Sequence, residues 1–250
     1  MHNHAPEMPA GFTLRAFESV GSTNDVAREL SSDPSYGNIV VWADSQCEGR
    51  GRSGRVWTSP AGNLYNTVLI RDVGALAQAA SLSLVAAVAM GEAVARFLPD
   101  SGGLGYKWPN DLLFDRAKFC GILLESGQAL GNNWVMIGSG VNLVRHPEDT
   151  PYPATNLKAL GADVGAAVLL QAYVERLDHW IGRWRQSGIA AVRDAWLSRA
   201  VGLGEKIQAR LADGQVLEGM FRDLDAHGVL ILDVPGKGTR VISAGDVFFP

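Results

Sequence analysis

From Val73 to Gly91 the chain runs without a single charged residue, close to the length of a membrane-spanning helix. Such a stretch folds either across a bilayer or into the interior of a protein. Alanine dominates it, and Gln78, Ser81 and Ser83 interrupt it, so its transfer free energy per residue is small beside that of a Leu/Ile/Phe-rich span. We therefore expect a buried core helix that ends near Phe97-Leu98-Pro99. A total of 250 residues, 47% of them hydrophobic, suits one large domain or one domain with a small appendage.

Strand and helix signals surround that segment. Thr13 to Glu18 reads as a short strand, and Ser22-Thr23-Asn24-Asp25 offers capping residues before a helical spacing of Val26, Ala27 and Leu30. Asn38–Ala43 and Asn63–Ile70 read as buried strands, followed after the core helix by Leu104–Lys107, Asp111–Phe114, Phe119–Glu125 and Trp134–Val141. Adjacent strands with short turns predict a mixed sheet. Val164–Trp184 and Ile189–Arg199 have helical periodicity, with Val168, Tyr173, Leu177, Trp180 and Trp184 on or near one apolar face. Past Val201-Gly202-Leu203-Gly204 the runs shorten and alternate, with turns at Asp213-Gly214, His227-Gly228 and Pro235-Gly236, as in a small β-barrel or meander. The expected division is a flexible tail over 1–11, a main domain over 12–200 and a β domain over 203–250.

Charge narrows the partners. Lysine and arginine number 22 against 26 acids, a net of −4, so no general attraction to nucleic acid or anionic lipid is indicated. Cys47 and Cys120 fit no metal spacing and suit free thiols in a reducing, cytoplasmic setting. His2 and His4 lie in a tail with no signal-peptide pattern.

Against this acidic background, Gly49-Arg50-Gly51-Arg52-Ser53-Gly54-Arg55-Val56-Trp57 concentrates three guanidinium groups. Glycine allows close backbone approach to a ligand, and arginine offers planar donors matched to phosphate or carboxylate. The same composition also suits a flexible solvated loop or an RNA-binding element. A second motif, Lys107-Trp108-Pro109-Asn110-Asp111, sets a lysine and an aspartate on either side of a proline-fixed turn, and Lys118 opens the next strand. Taken singly, Lys107 and Asp111 would suit a surface salt bridge, and Lys118 a snorkelling edge residue.

Together and in order, these segments resemble the biotin–protein ligases. The match comprises Ser22-Thr23-Asn24, Gln46 with the Gly49–Trp57 loop, Asn63-Leu64-Tyr65, Lys107–Asp111, Lys118 with Gly121-Ile122-Leu123, Ile137–Asn142 and the terminal β segment. The resemblance implies an α/β (α+β) catalytic domain like that of class II aminoacyl-tRNA synthetases, with a central mixed sheet and a C-terminal SH3-like barrel. It implies that biotin and ATP, with Mg²⁺, form biotinyl-5′-AMP, and that biotin then passes to a lysine of the biotin carboxyl carrier protein of acetyl-CoA carboxylase or a related carboxylase.

The same resemblance distributes the roles. Ser22, Thr23, Asn24, Gln46, Gly49, Arg50, Gly51, Arg52, Lys118 and Gly121 are expected to hold biotin, while Arg50, Arg52, Arg55, Trp57, Lys118 and Asn142 hold the nucleotide. Two reacting anions call for cations, which Arg50, Arg52, Lys118 and Lys107 can supply, and Asp111 is the candidate to orient the acceptor amine or take its proton. The metal ligands stay unassigned. Only 21 residues precede Ser22, too few for a winged-helix domain, so neither specific DNA binding nor repression is expected, and a homodimer stays open. Two alternatives remain: a lipoate–protein ligase or octanoyltransferase of the same fold, and a noncatalytic RNA-binding module.

Overall fold

The computed structural model describes residues 5–249, which leaves His2 and His4 outside it. Seven strands make a mixed sheet in the order β1-β2-β3-β7-β6-β5-β4. These are β1 (Phe12–Val20), β2 (Asn38–Gln46), β3 (Leu64–Arg71), β4 (Leu104–Lys107), β5 (Asp111–Phe114), β6 (Ala117–Ala129) and β7 (Asn132–Val141). The β1–β2 pair is parallel, and helix α1 (Thr23–Leu30) supplies the crossover that a parallel pair needs. The other neighbours are antiparallel. The bounds of β4 and β5 are those expected, and Ser22 caps α1 by accepting a hydrogen bond from the backbone of Asn24.

Side-chain alternation sorts the two faces of the sheet. Val68 and Ile70 of β3 and Val135, Ile137 and Val141 of β7 enter a large core, whereas Leu69, Trp134 and Met136 join a smaller one under α1. The uncharged segment fills the large core, as two helices and not one: α2 (Leu76–Ala79) and α3 (Leu82–Ala95). The break falls at Ser81, whose hydroxyl donates to the Gln78 carbonyl and accepts from the Trp184 indole. Helices α4 (Ala166–Ser187) and α5 (Ala190–Leu197) complete the layer. Tyr173, Leu177, Trp180 and Trp184 are buried as expected, but Val168 is 56% exposed. It lies nine residues before Leu177, two and a half helical turns, and so on the opposite side of α4. Among the described residues no helix is long and apolar enough to cross a membrane.

Beyond residue 200, β8 (Lys206–Arg210), β9 (Val216–Leu224), β10 (Leu230–Val234), β11 (Gly238–Ile242) and β12 (Asp246–Phe248) form an antiparallel sheet. Its order is β11-β10-β9-β8-β12, an open chain of pairings where a closed barrel was expected. Gly214, Gly228 and Gly236 take the positive φ that its turns require. The sheet is joined to the rest through the Trp108 indole, which donates to Gly228 O at 3.2 Å, and Arg193, which donates to Leu224 O at 2.7 Å. Its buried residues are continuous with the large core.

Candidate active site

A cleft of about 790 Å³ opens where both sheets meet the Gly/Arg loop. It is bounded by the start of α1, the Lys107–Asp111 turn, the loop over 147–154 and β12. The sequence-predicted residues Ser22, Thr23, Asn24, Gln46, Arg50, Gly51, Arg52, Arg55, Trp57, Lys107, Asp111, Lys118, Gly121 and Asn142 all line it. Gly49 lies behind this wall, where a Cβ would come within 2.4 Å of Ser59 Oγ and 2.5 Å of Trp57 O.

At one end stands a buried polar pocket. Thr23 donates both its backbone N–H (2.9 Å) and its hydroxyl (3.1 Å) to Gln46 Oε1, and Gln46 Nε2 donates to Ser59 Oγ at 3.0 Å. Thr67 Oγ1 lies 2.8 Å from Thr23 Oγ1 and 2.5 Å from Asn24 Oδ1, so its one proton is shared between two acceptors. Asn24 Nδ2 is buried without a protein partner. An unsatisfied buried donor costs about 1–3 kcal/mol, and a ligand carbonyl reaching it would remove that cost. Thr67 and Ser59 carry no signal in the sequence, because their roles arise only when β3 and the loop's end fold against α1.

The cations occupy the other side. Lys118 Nζ is 2.6 Å from Asp111 Oδ1, so Asp111 pairs with Lys118 and not, as its place in the turn suggested, with Lys107. The Lys107 ammonium lies 5.3, 5.7 and 5.8 Å from the ring centres of Tyr152, Phe248 and Phe249, and burial lowers its pKa. Arg52 donates to Gly245 O at 3.1 Å and to Asp246 Oδ1 and Asn110 Oδ1 at 3.3 Å each. Arg55 reaches Asp246 at 3.1 Å. Arg50 grips both oxygens of Asp25 at 2.6 Å, which holds that carboxyl below its ordinary range. Four of the five expected cations thus have carboxylate partners. Asp25, Asp246 and the aromatic rings around Lys107 were not foreseen.

The Trp57 indole packs against Gly121 and Gly140, which are cross-strand partners. A Cβ on Gly140 would be 2.4 Å from the indole nitrogen, and one on Gly121 3.0 Å from the ring edge. The Lys118 ammonium sits 5.2 Å from the same ring. Asn142 donates Nδ2 to Thr155 O at 3.1 Å, which fixes the end of the loop that carries Tyr152. Among the described residues no group of three or more His, Cys, Asp or Glu side chains could hold a metal ion.

Comparison with known proteins gives this arrangement a context. The model of the biotin/lipoate A/B protein ligase family matches residues 16–142, and that of the biotin protein ligase C-terminal domain matches residues 202–249. The chain is 40% identical to a biotin–[acetyl-CoA-carboxylase] ligase of Paracoccus denitrificans, over 91% of this chain and 97% of the relative. It is 35% identical to the enzyme of the same name from Mycobacterium tuberculosis, over 94% and 88%. Among solved structures, the biotin protein ligase from Aquifex aeolicus in complex with biotin and ATP superposes with a TM-score of 0.79 at 25% identity, covering 94% of this chain and 97% of that one.

Proposed function

The chain belongs to the biotin/lipoate A/B protein ligase family, and from that premise we propose that it is an ATP-dependent biotin–protein ligase. One observation carries the choice of biotin. The pocket built by Ser22, Thr23, Asn24 and Gln46 offers buried donors and acceptors for a ureido ring, with Asn24 Nδ2 still unpartnered. A ligand with no acceptor to offer there would leave Asn24 Nδ2 unpaired, a penalty in a buried site.

In the first step a biotin carboxylate oxygen bonds to the α-phosphorus of ATP as the bond to pyrophosphate breaks. Two anions must meet, and Arg52, Arg55, Lys107 and Lys118 supply the opposing charge, with Arg50 in the wall behind them. Mg²⁺ would be held with the phosphates, and Asp111, Asp149 and Asp246 are the carboxylates that line the cleft. Trp57 offers a face for the adenine, and Asn142 an adjacent polar group.

In the second step the carrier lysine's amine attacks the mixed anhydride and AMP departs. Lys118 and Asp111 couple the two steps. Once an anionic ligand draws Lys118 away, the Asp111 carboxylate is released to bind the incoming ammonium and take its proton. The carrier is the biotin carboxyl carrier protein of a biotin-dependent carboxylase. We further assign residues 12–200 to catalysis and read 203–250 as an SH3-like domain that supplies the last wall of the cleft. Pyrophosphate exchange tests the proposal: biotin should drive exchange of label into ATP and lipoate should not, and the reverse order would assign the chain to the lipoate branch.

A further inference from the structure

The Gly/Arg loop is held by a chain of four alternating charges. Glu125 on β6 and Asp25 on α1 both pair with Arg28, at 2.5 and 2.7 Å, and Asp25 closes bidentately on Arg50 at the root of the loop. Glu125 also stands 3.7 Å from Arg50. Isolated surface ion pairs contribute little, but bidentate geometry within a network is the exception. The attachment point matters as well. Arg50 forms a β-bridge with Val56, Gly51 N–H donates to Arg55 O at 2.7 Å, and Trp57 N–H donates to Gly49 O at 2.9 Å. The loop is therefore a tight hairpin, turned at its tip by the positive φ of Ser53 and Gly54. Arg50 is one of the two residues at its base, so fixing its side chain orients the whole hairpin.

We propose that Asp25 is a positioning residue for the ligand-binding wall: by clamping Arg50 it holds the hairpin against the cleft and retains the activated acyl group there. The role rests on the ligase reading for its chemistry, but the clamp itself is a property of the fold. Asp25 occupies the first turn of α1, where a carboxylate also favours the helix dipole. Asp25→Asn removes the charge but keeps a polar side chain, and Asp25→Glu keeps the charge and can reach Arg50, so the pair separates loss of the carboxylate from the mere change of residue.

Three readouts test the clamp: trypsin cleavage after Arg50, Arg52 and Arg55, Michaelis constants for biotin and ATP in pyrophosphate exchange, and biotin labelling of added serum albumin with no carrier present. Asp25→Asn should be cut roughly tenfold faster in the loop and raise KM for biotin about tenfold while KM for ATP changes less than about twofold. Albumin labelling should rise with it, and Asp25→Glu should restore all three to within about twofold of the parent. Unchanged cleavage and KM in Asp25→Asn would overturn the proposal. So would a variant that fails to fold, or losses that Asp25→Glu does not restore. If the parent itself shows no biotin-dependent exchange, the assigned reaction fails while the cleavage comparison still decides the clamp.

Discussion

Gly140→Ala tests the seat of Trp57 with a single methyl group. The new Cβ would stand 2.4 Å from the indole nitrogen and 2.5 Å from Cε2, against an ordinary contact of about 3.4 Å or more, so one side must yield by roughly 1 Å. The strand cannot, because Gly140 is paired with Tyr65 of β3 and Gly121 of β6. Alanine suits the extended backbone here, so the perturbation is steric alone. Trp57 must lift. Of the roughly 150–250 Å² that a tryptophan buries, losing about a third, at ~25 cal/mol per Å², corresponds to about 1–2 kcal/mol. If Trp57 carries the adenine, KM for ATP in pyrophosphate exchange rises about 5–30-fold while KM for biotin barely moves. The decisive comparison is a double-mutant cycle with Trp57→Ala. Gly140→Ala should add nothing once the indole is gone. Additive effects, or a parental KM for ATP in Gly140→Ala alone, would refute the reasoning.

Other expectations follow from the same geometry. Asp111→Asn should slow single-turnover transfer from preformed biotinyl-AMP by about 10²-fold or more, and transfer at the parental rate would remove Asp111 from the second step. Lys118→Ala should depress adenylation more than biotin binding; equal losses in exchange rate and biotin affinity would mark a positioning role instead. Gly91→Ala would place a Cβ 2.3 Å from the Tyr106 hydroxyl, and overpacking of about 1–3 kcal/mol should lower Tm by several degrees in a calorimetric scan. Burial pushes the Tyr65 hydroxyl up to about 12 from an ordinary value near 10, so the unfolded chain loses that proton first. Its contribution to stability is complete below pH 10 and is lost as pH rises from 10 to 12; Tyr65→Phe should weaken this alkaline loss in unfolding curves.

What could be read from the sequence was mostly local. A cap within Ser22–Asp25 was legible because capping spans two or three residues, and β4 and β5 were legible because the Pro109 turn delimits both. The α2–α3 break was not, since Ser81 takes its meaning from Trp184, 103 residues away. The cations of the site were legible as residue types, but their settings were not. Arg50 finds Asp25 at a separation of 25 residues, Arg28 finds Glu125 at 97, and Arg52 finds Asp246 at 194. No periodicity encodes such pairings. They follow from the order of strands in the sheet and from the docking of the second sheet, so the glycines and arginines gave the chemistry while topology gave the partners.

The Arg52–Asp246 contact also imposes an order on biosynthesis. Chains emerge from the ribosome at about 5–20 residues per second, so a separation of 194 residues is a wait of roughly 10–40 s. During that interval the large sheet can form, yet the cleft lacks the strand that receives Arg52 and Arg55 and helps to enclose Lys107. On the proposed reading, a nascent chain therefore forms the Thr23–Gln46 polar pocket before it has the strand that meets Arg52 and helps to enclose Lys107.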